Sequence, residues 1–193
     1  MSPPVEKTMR KQAKVEKGYT APSVPFSNEL EYLQEELDWI EARARRIGAE
    51  KLLEKVGQES PGPRRRHFRG ADPDMEDPEF LDVFRARHGF KERNLRKGTD
   101  IRLKAGRKAG KPTALCCLVE KYGLDDFERT ILLLAVAPCI RQGFDELYEQ
   151  LEVDTIQGGL TVEAAFSFLE TPVPERVARR RCFSRTASLV AAD

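Results

Sequence analysis

The chain has little of what most enzyme centres are built from. Its two histidines, His67 and His88, lie far apart, and its four cysteines, Cys116, Cys117, Cys139 and Cys182, contain no C-x-x-C pair. A tetrahedral zinc site needs ligands spaced so that one turn or knuckle presents two of them, and that spacing is missing. Each cysteine sits in or beside an apolar stretch, the pattern of a reduced core thiol. Long hydrophobic runs are missing as well. The longest uncharged apolar run, Ile131 to Ile140, is ten residues and contains Pro138, against about 20 residues needed to cross a bilayer. Lys7, Arg10, Lys11, Lys14 and Lys17 open the chain without an apolar segment behind them, so it has no signal-peptide pattern. The expectation is a cytoplasmic protein with no membrane contact.

Net charge is nearly absent too, with 33 Lys+Arg against 32 Asp+Glu over 193 residues, which excludes a polycation or an acidic-tail protein. The balance is uneven along the chain. Cutting after Lys111 leaves 25 basic and 19 acidic residues before it and 8 and 13 after it, or +6 and -5. The segment 85–111 alone carries eleven basic residues against Glu92 and Asp100, a local +9.

Punctuation and periodicity divide the chain. Residues 1–27, rich in Pro and poor in large apolar groups, read as a disordered arm. A long amphipathic helix follows over 28–56, with Asn28 and Glu31 at capping-box spacing and acidic residues early, basic residues late. Its apolar positions Leu30, Leu33, Leu37, Ile40, Ala44 and Ile47 keep the 3-4 spacing of a helix that pairs with another helix. Segment 57–111 reads as a Pro/Gly-rich and then basic linker, with a short helix possible over 78–88 on Phe80, Leu81 and Phe84 and a mobile loop beyond it. From 112 to 193 a compact helical domain is expected. Thr113 to Tyr122 forms its first helix and ends at Gly123. Asp125 and Glu128 cap a second, apolar all round, that would be the central buried element and would stop at Pro138. Phe144, Leu147, Tyr148 and Leu151 mark a third, and Thr161 caps a fourth over Val162 to Leu169. Pro172 and Pro174 open a last short helix. Thr155 to Leu160 suits a turn or edge strand, and Leu189–Val190 a strand start.

Motifs for chemistry are thin. Gly106 to Thr113 resembles a phosphate-binding loop, but only three residues separate the glycines and Pro112 displaces the hydroxyl from the lysine. Asp125, Asp126 and Glu128 are explained by capping. No catalytic, cofactor-binding or metal-binding residue is assigned, and the chain is not expected to be an enzyme.

Two interaction surfaces stand out instead. Leu33, Leu37, Trp39 and Ile40 could dock on a partner protein, on a second copy in a homo-oligomer, or on the chain's own domain. Arg93, Arg96, Lys97, Arg102, Lys104, Arg107 and Lys108 could meet phosphates or an acidic partner. A helix-turn-helix at Thr113 to Ala137 would favour nucleic acid, yet its second helix is apolar where a reading helix needs polar side chains.

Leu124 to Pro138, with Phe127-Glu128-Arg129 followed by Leu132-Leu133-Leu134-Ala135, is similar to the GLSPFERDVLLLALAPE stretch of a winged-helix domain. That domain lies N-terminal to the ATPase module in a group of bacterial AAA+ ATPases, some encoded with extracellular contractile injection systems. Tyr32, Leu33, Glu36 and Leu37 resemble the family's Y-L-x-x-E-L helix. Phe144 to Asp154 and Thr161 to Leu169 resemble two further helices in the same order. Where the family has an acid after the proline, this chain has Cys139. The resemblance implies a mainly α fold, a long N-terminal helix plus a small winged-helix-like domain with a minimal or incomplete wing. It implies a non-catalytic region that recruits partners or assembles oligomers for an ATPase module lying beyond Asp193. ATP and magnesium would belong to that module. The alternative is a nucleic-acid-binding winged-helix regulator using segment 85–111.

Overall fold

Local capping chemistry sets where the helices begin. The computed structural model describes residues 23–58, 77–149, 151, 160–184 and 187. Helix α1 spans Glu29–Gln58. Asn28 Oδ1 accepts from the Glu31 amide at 2.9 Å, and Glu31 reaches one residue further back, accepting from the Ser27 amide at 2.7 Å. Helix α2 spans Pro78–Lys108, with the Asp77 side chain accepting from the Glu79 amide and Pro78 in the first turn. Then come α3 (Ala114–Tyr122), α4 (Asp126–Ile140), α5 (Phe144–Glu149), α6 (Val162–Phe168), α7 (Val173–Arg179) and a 3-10 turn over Arg180–Phe183. Thr113, Asp125 and Thr161 cap α3, α4 and α6 through their side chains, and Gly123 ends α3 in the left-handed conformation at φ 63°. The architecture is mainly α, with no strand among the described residues. The strand or turn expected at Thr155 to Leu160 lies outside them apart from Leu160, as does Leu189–Val190.

Helix α2 corrects the reading of 57–111 as a linker with a helix ending near 88, because it runs through the basic stretch to Lys108. Apolar periodicity does not hold it in place. Its buried positions after Leu81 are Gly89, Gly98, Thr99, Arg102 and Gly106. At Gly89 the two helices approach closely: a Cβ there would stand 3.3 Å from Arg46 Cδ. Polar groups then pair across the seam. Glu92 accepts from Arg43 at 3.0 Å and from Arg46 at 2.7 Å. Thr99 donates to Glu35 at 3.2 Å, and Arg102 pairs with Glu31 and Glu35. Rising numbers on α1 meet falling numbers on α2, so the two form an antiparallel hairpin. At about 1.5 Å per residue each helix is about 45 Å long.

The same seam corrects the end of the expected disordered arm. Residues 1–22 lie outside the described residues, but within 23–27 Pro25 and Phe26 are half-buried. Phe26 meets Tyr32 edge-on with centroids 5.1 Å apart. The Arg102 guanidinium lies 3.9 Å above the Phe26 ring and donates to the Val24 carbonyl.

Helix α1, rather than α4, is the central element. It sends Leu37, Trp39, Ile40, Ala44 and Ile47 into one core with Leu133, Leu134 and Ala137 of α4, Phe144, Leu147 and Tyr148 of α5, Leu151, and Phe168 of α6. Helix α4 keeps Val136 and Ile140 about two-fifths exposed, so its all-round apolar character does not bury it on every side. Nor does Pro138 end it, since the helix continues to Ile140. A proline leaves the carbonyl four residues back without its usual amide donor. That carbonyl is Leu134, and the buried Tyr148 hydroxyl of α5 donates to it at 2.6 Å.

Candidate interaction surface

The seam residues singled out on α1 are spent inside the chain. Leu37, Trp39 and Ile40 are buried and Leu33 is half-buried against the core. Trp39 meets Phe168 edge-on at 5.8 Å, with the guanidinium groups of Arg43 and Arg96 near its ring. Of the three occupants considered for this face, the chain's own domain is the one seated there, and these four residues are not free for another protein.

The seven cations proposed on α2 separate into two groups. Arg102 is buried in the pairs already described. Arg96 stacks on Trp39 and lies 3.7 Å from Asp100 and 3.8 Å from Glu36. Arg107 pairs with Glu120 of α3 at 3.1 Å. By contrast Arg93, Lys97, Lys104 and Lys108 are exposed and make no ion pair among the described residues. At 100° per residue their spacing of four, seven and four places them within about 60° of one another on one side of α2, a stripe roughly 22 Å long.

That stripe borders an open groove of about 860 Å³. Arg93, Lys97, Ile101 and Lys104 of α2 form one side. Asp126 and Phe127 at the start of α4, with Leu169, Pro172 and Glu175 before and within α7, form the other, and Trp39 and Arg43 of α1 lie along it. The far side was not legible as a site, because Phe127 and Leu169 read as packing and Pro172 as punctuation.

Beneath the groove is a buried charge cluster that residue-type motifs also miss. Glu36, 1% exposed, pairs with Arg129 of α4, whose guanidinium also donates to the Tyr32 hydroxyl at 2.9 Å. Burial opposes the charge on Arg129, but Glu36 and Tyr32 hold its pKa above the ordinary arginine value. Burial, and then Glu36, push the Tyr32 phenol up. A signal for this was present: Glu36 falls three residues after Leu33 and four before Ile40, on the apolar side of α1.

The loop that resembles a phosphate-binding motif is a helix stop. Gly110, in the left-handed conformation at φ 69°, donates to the Arg107 carbonyl at 3.1 Å, and the Lys111 amide donates to the Gly106 carbonyl at 2.9 Å. This is the paired hydrogen bonding of a Schellman ending. A Cβ on Gly106 would stand 2.9 Å from the Lys111 carbonyl oxygen, which accounts for that glycine without a ligand.

No helix among the described residues is long and apolar enough to cross a membrane, and no cluster of three metal-ligating side chains occurs among them. Comparison with curated proteins and with solved structures returned no match. The family model described as "Winged helix domain, variant" matches residues 14–193, so that α1 and α2 fall inside the matched region together with α3 to α7, and the chain belongs to that family.

Proposed function

We propose that this winged-helix region works through protein contacts, as the non-catalytic part of a cytoplasmic AAA+ ATPase that recruits a partner or helps the ATPase assemble. Winged-helix domains serve either protein or nucleic-acid partners, and the observation that supports the first is the outer side of α4. In a helix-turn-helix the second helix offers polar side chains to base edges. Here α4 buries Arg129 and Thr130 and turns Ala135, Val136, Cys139 and Ile140 outward. Such a side has no donor for a base and no cation for a phosphate. The ATPase context rests on the resemblance of Leu124 to Pro138 and of the three helices that keep the family's order.

The test is a tryptic map of the endogenous product, recovered with an antibody to residues 78–108. Peptides of an ATPase module continuous with this chain are expected. A product without such a module, together with tight retention of duplex DNA, would overturn the reading. The chain alone is expected to turn over no ATP, and a measurable rate abolished by Lys111→Ala would contradict that. The nucleic-acid alternative keeps one favourable observation, the α2 stripe. It predicts binding whose logarithm falls linearly with that of salt, losing about one unit of slope per phosphate contact removed.

A further inference from the structure

The groove beside α2 has a chemistry of its own. Six arginines elsewhere in the fold find acids: Arg43, Arg46, Arg102, Arg129, Arg141 and Arg176 all make ion pairs. Arg93, Lys97 and Lys104 line the groove, are exposed, and pair with nothing among the described residues. They recur along about 16 Å of one helix side. Between and opposite them lie half-buried apolar groups, Ile101, Phe127 and Leu169. Exposed cations beside an apolar strip match a ligand that is itself acidic along one edge and apolar along the next.

Two features separate a protein segment from a nucleic acid. The side facing the cations carries Asp126 and Glu175, which make no ion pair among the described residues. A run of phosphates entering the groove would meet those carboxylates, whereas a peptide can place a neutral or basic residue there. The volume, about 860 Å³, is in the range of about 300–1,000 Å³ typical of small-ligand pockets. It holds a few anchoring side chains, whereas a duplex could only rest across its rim.

We propose that this groove is a docking site for an acidic, amphipathic segment of a partner protein. Carboxylates at three- or four-residue spacing meet Arg93, Lys97 and Lys104, and an apolar anchor packs on Ile101, Phe127 and Leu169. The proposal deepens the protein-interaction reading and rests on it. It does not depend on the ATPase context.

The experiment selects ligands from a displayed library of random 16-residue peptides against the full chain, then measures the selected peptides by fluorescence anisotropy. Enrichment of Asp/Glu with Leu, Ile or Phe at helical spacing is expected. The variant R93E/K97E/K104E, with its fold checked by circular dichroism, should bind them at least tenfold more weakly. R87E/K91E removes exposed cations from another side of α2 and should stay within threefold, which separates position from net charge. Phe127→Ala should weaken the peptides several-fold and leave polyglutamate binding unchanged.

Selection without an acidic–apolar pattern, or equal losses in the two charge-reversal variants, would overturn the proposal. So would duplex DNA that binds more tightly than the peptides and is lost in the triple variant, since that assigns the stripe to phosphates. Absence of an ATPase module from the endogenous product would remove the ATPase context and leave the peptide result standing.

Discussion

Helix α1 is held on two sides by different physics. Towards α4, α5 and α6 it packs Leu37, Ile40, Ala44 and Ile47 into a continuous apolar core. Towards α2 it meets glycines, a threonine and paired charges; α2 buries Leu81 and packs only a half-buried Leu95 against the core. Apolar burial is non-directional and is not screened by salt, whereas ion pairs at a seam depend on geometry, screening and pH. The hairpin and the core should therefore respond differently to the same perturbations.

The largest effect is expected where the two sides meet. Glu36→Gln leaves Arg129 buried without its countercharge, a change that costs about 3–5 kcal/mol, read as a lowered urea midpoint. Ile40→Ala opens a cavity in the core, where Ile40 is 0% exposed, and should cost about 2–5 kcal/mol. That loss should be equal at low and high salt, and a marked salt dependence would blur the distinction between the two sides. Glu92→Gln removes the charge, and one of the two acceptor oxygens, that face Arg43 and Arg46, worth about 1.5–3 kcal/mol for hydrogen bonds to charged groups. Its loss should shrink as salt rises. Tyr148→Phe strips the Leu134 carbonyl of its donor and should cost about 1–3 kcal/mol. Proline isomerism is not involved, and the double variant Tyr148→Phe/Pro138→Ala should recover part of the loss because the amide of residue 138 returns.

A separate effect is a pH slope. His88 packs against Phe84 with centroids 4.3 Å apart and the rings tilted by 48°. Burial first, and then Arg45, Lys91 and Arg87, push its pKa down from 6.5 to about 4, with Glu41 opposing them. The unfolded chain takes up this proton near pH 6.5 and the folded chain only near 4, so the unfolded state binds more protons in between. Stability should fall as pH drops through that window and level off below it. His88→Gln should flatten this part of the profile, and an unchanged slope would refute the assignment.

The same contrast explains what could be read from the sequence. The core side of α1 was legible because Leu33, Leu37, Ile40 and Ala44 keep helical spacing, and the caps at Asn28, Asp125 and Thr161 were legible because their chemistry is local. Helix α2 beyond His88 was not, because glycines and arginines at its buried positions give no apolar period. Pro138 misled for a related reason. The group that sustains the helix past it is Tyr148, ten residues further along the chain, and nothing local announces that hydroxyl. Of the candidate site, the cations were visible as composition. Which of them are free was fixed only by partners such as Glu31, Glu35 and Glu120.

The place of α1 in the middle of the fold also sets a schedule for synthesis. Ile40 and Trp39 leave the ribosome early, yet Phe168, part of the same core, is made about 130 residues later. At about 5–20 residues per second that interval is on the order of ten seconds. Throughout it the apolar edge of the first helix has no native partner for much of its length, while the glycine-lined, charge-paired seam with α2 becomes available much sooner. The hairpin can thus form as an early unit that keeps the edge in register until α4, α5 and α6 arrive to cover it.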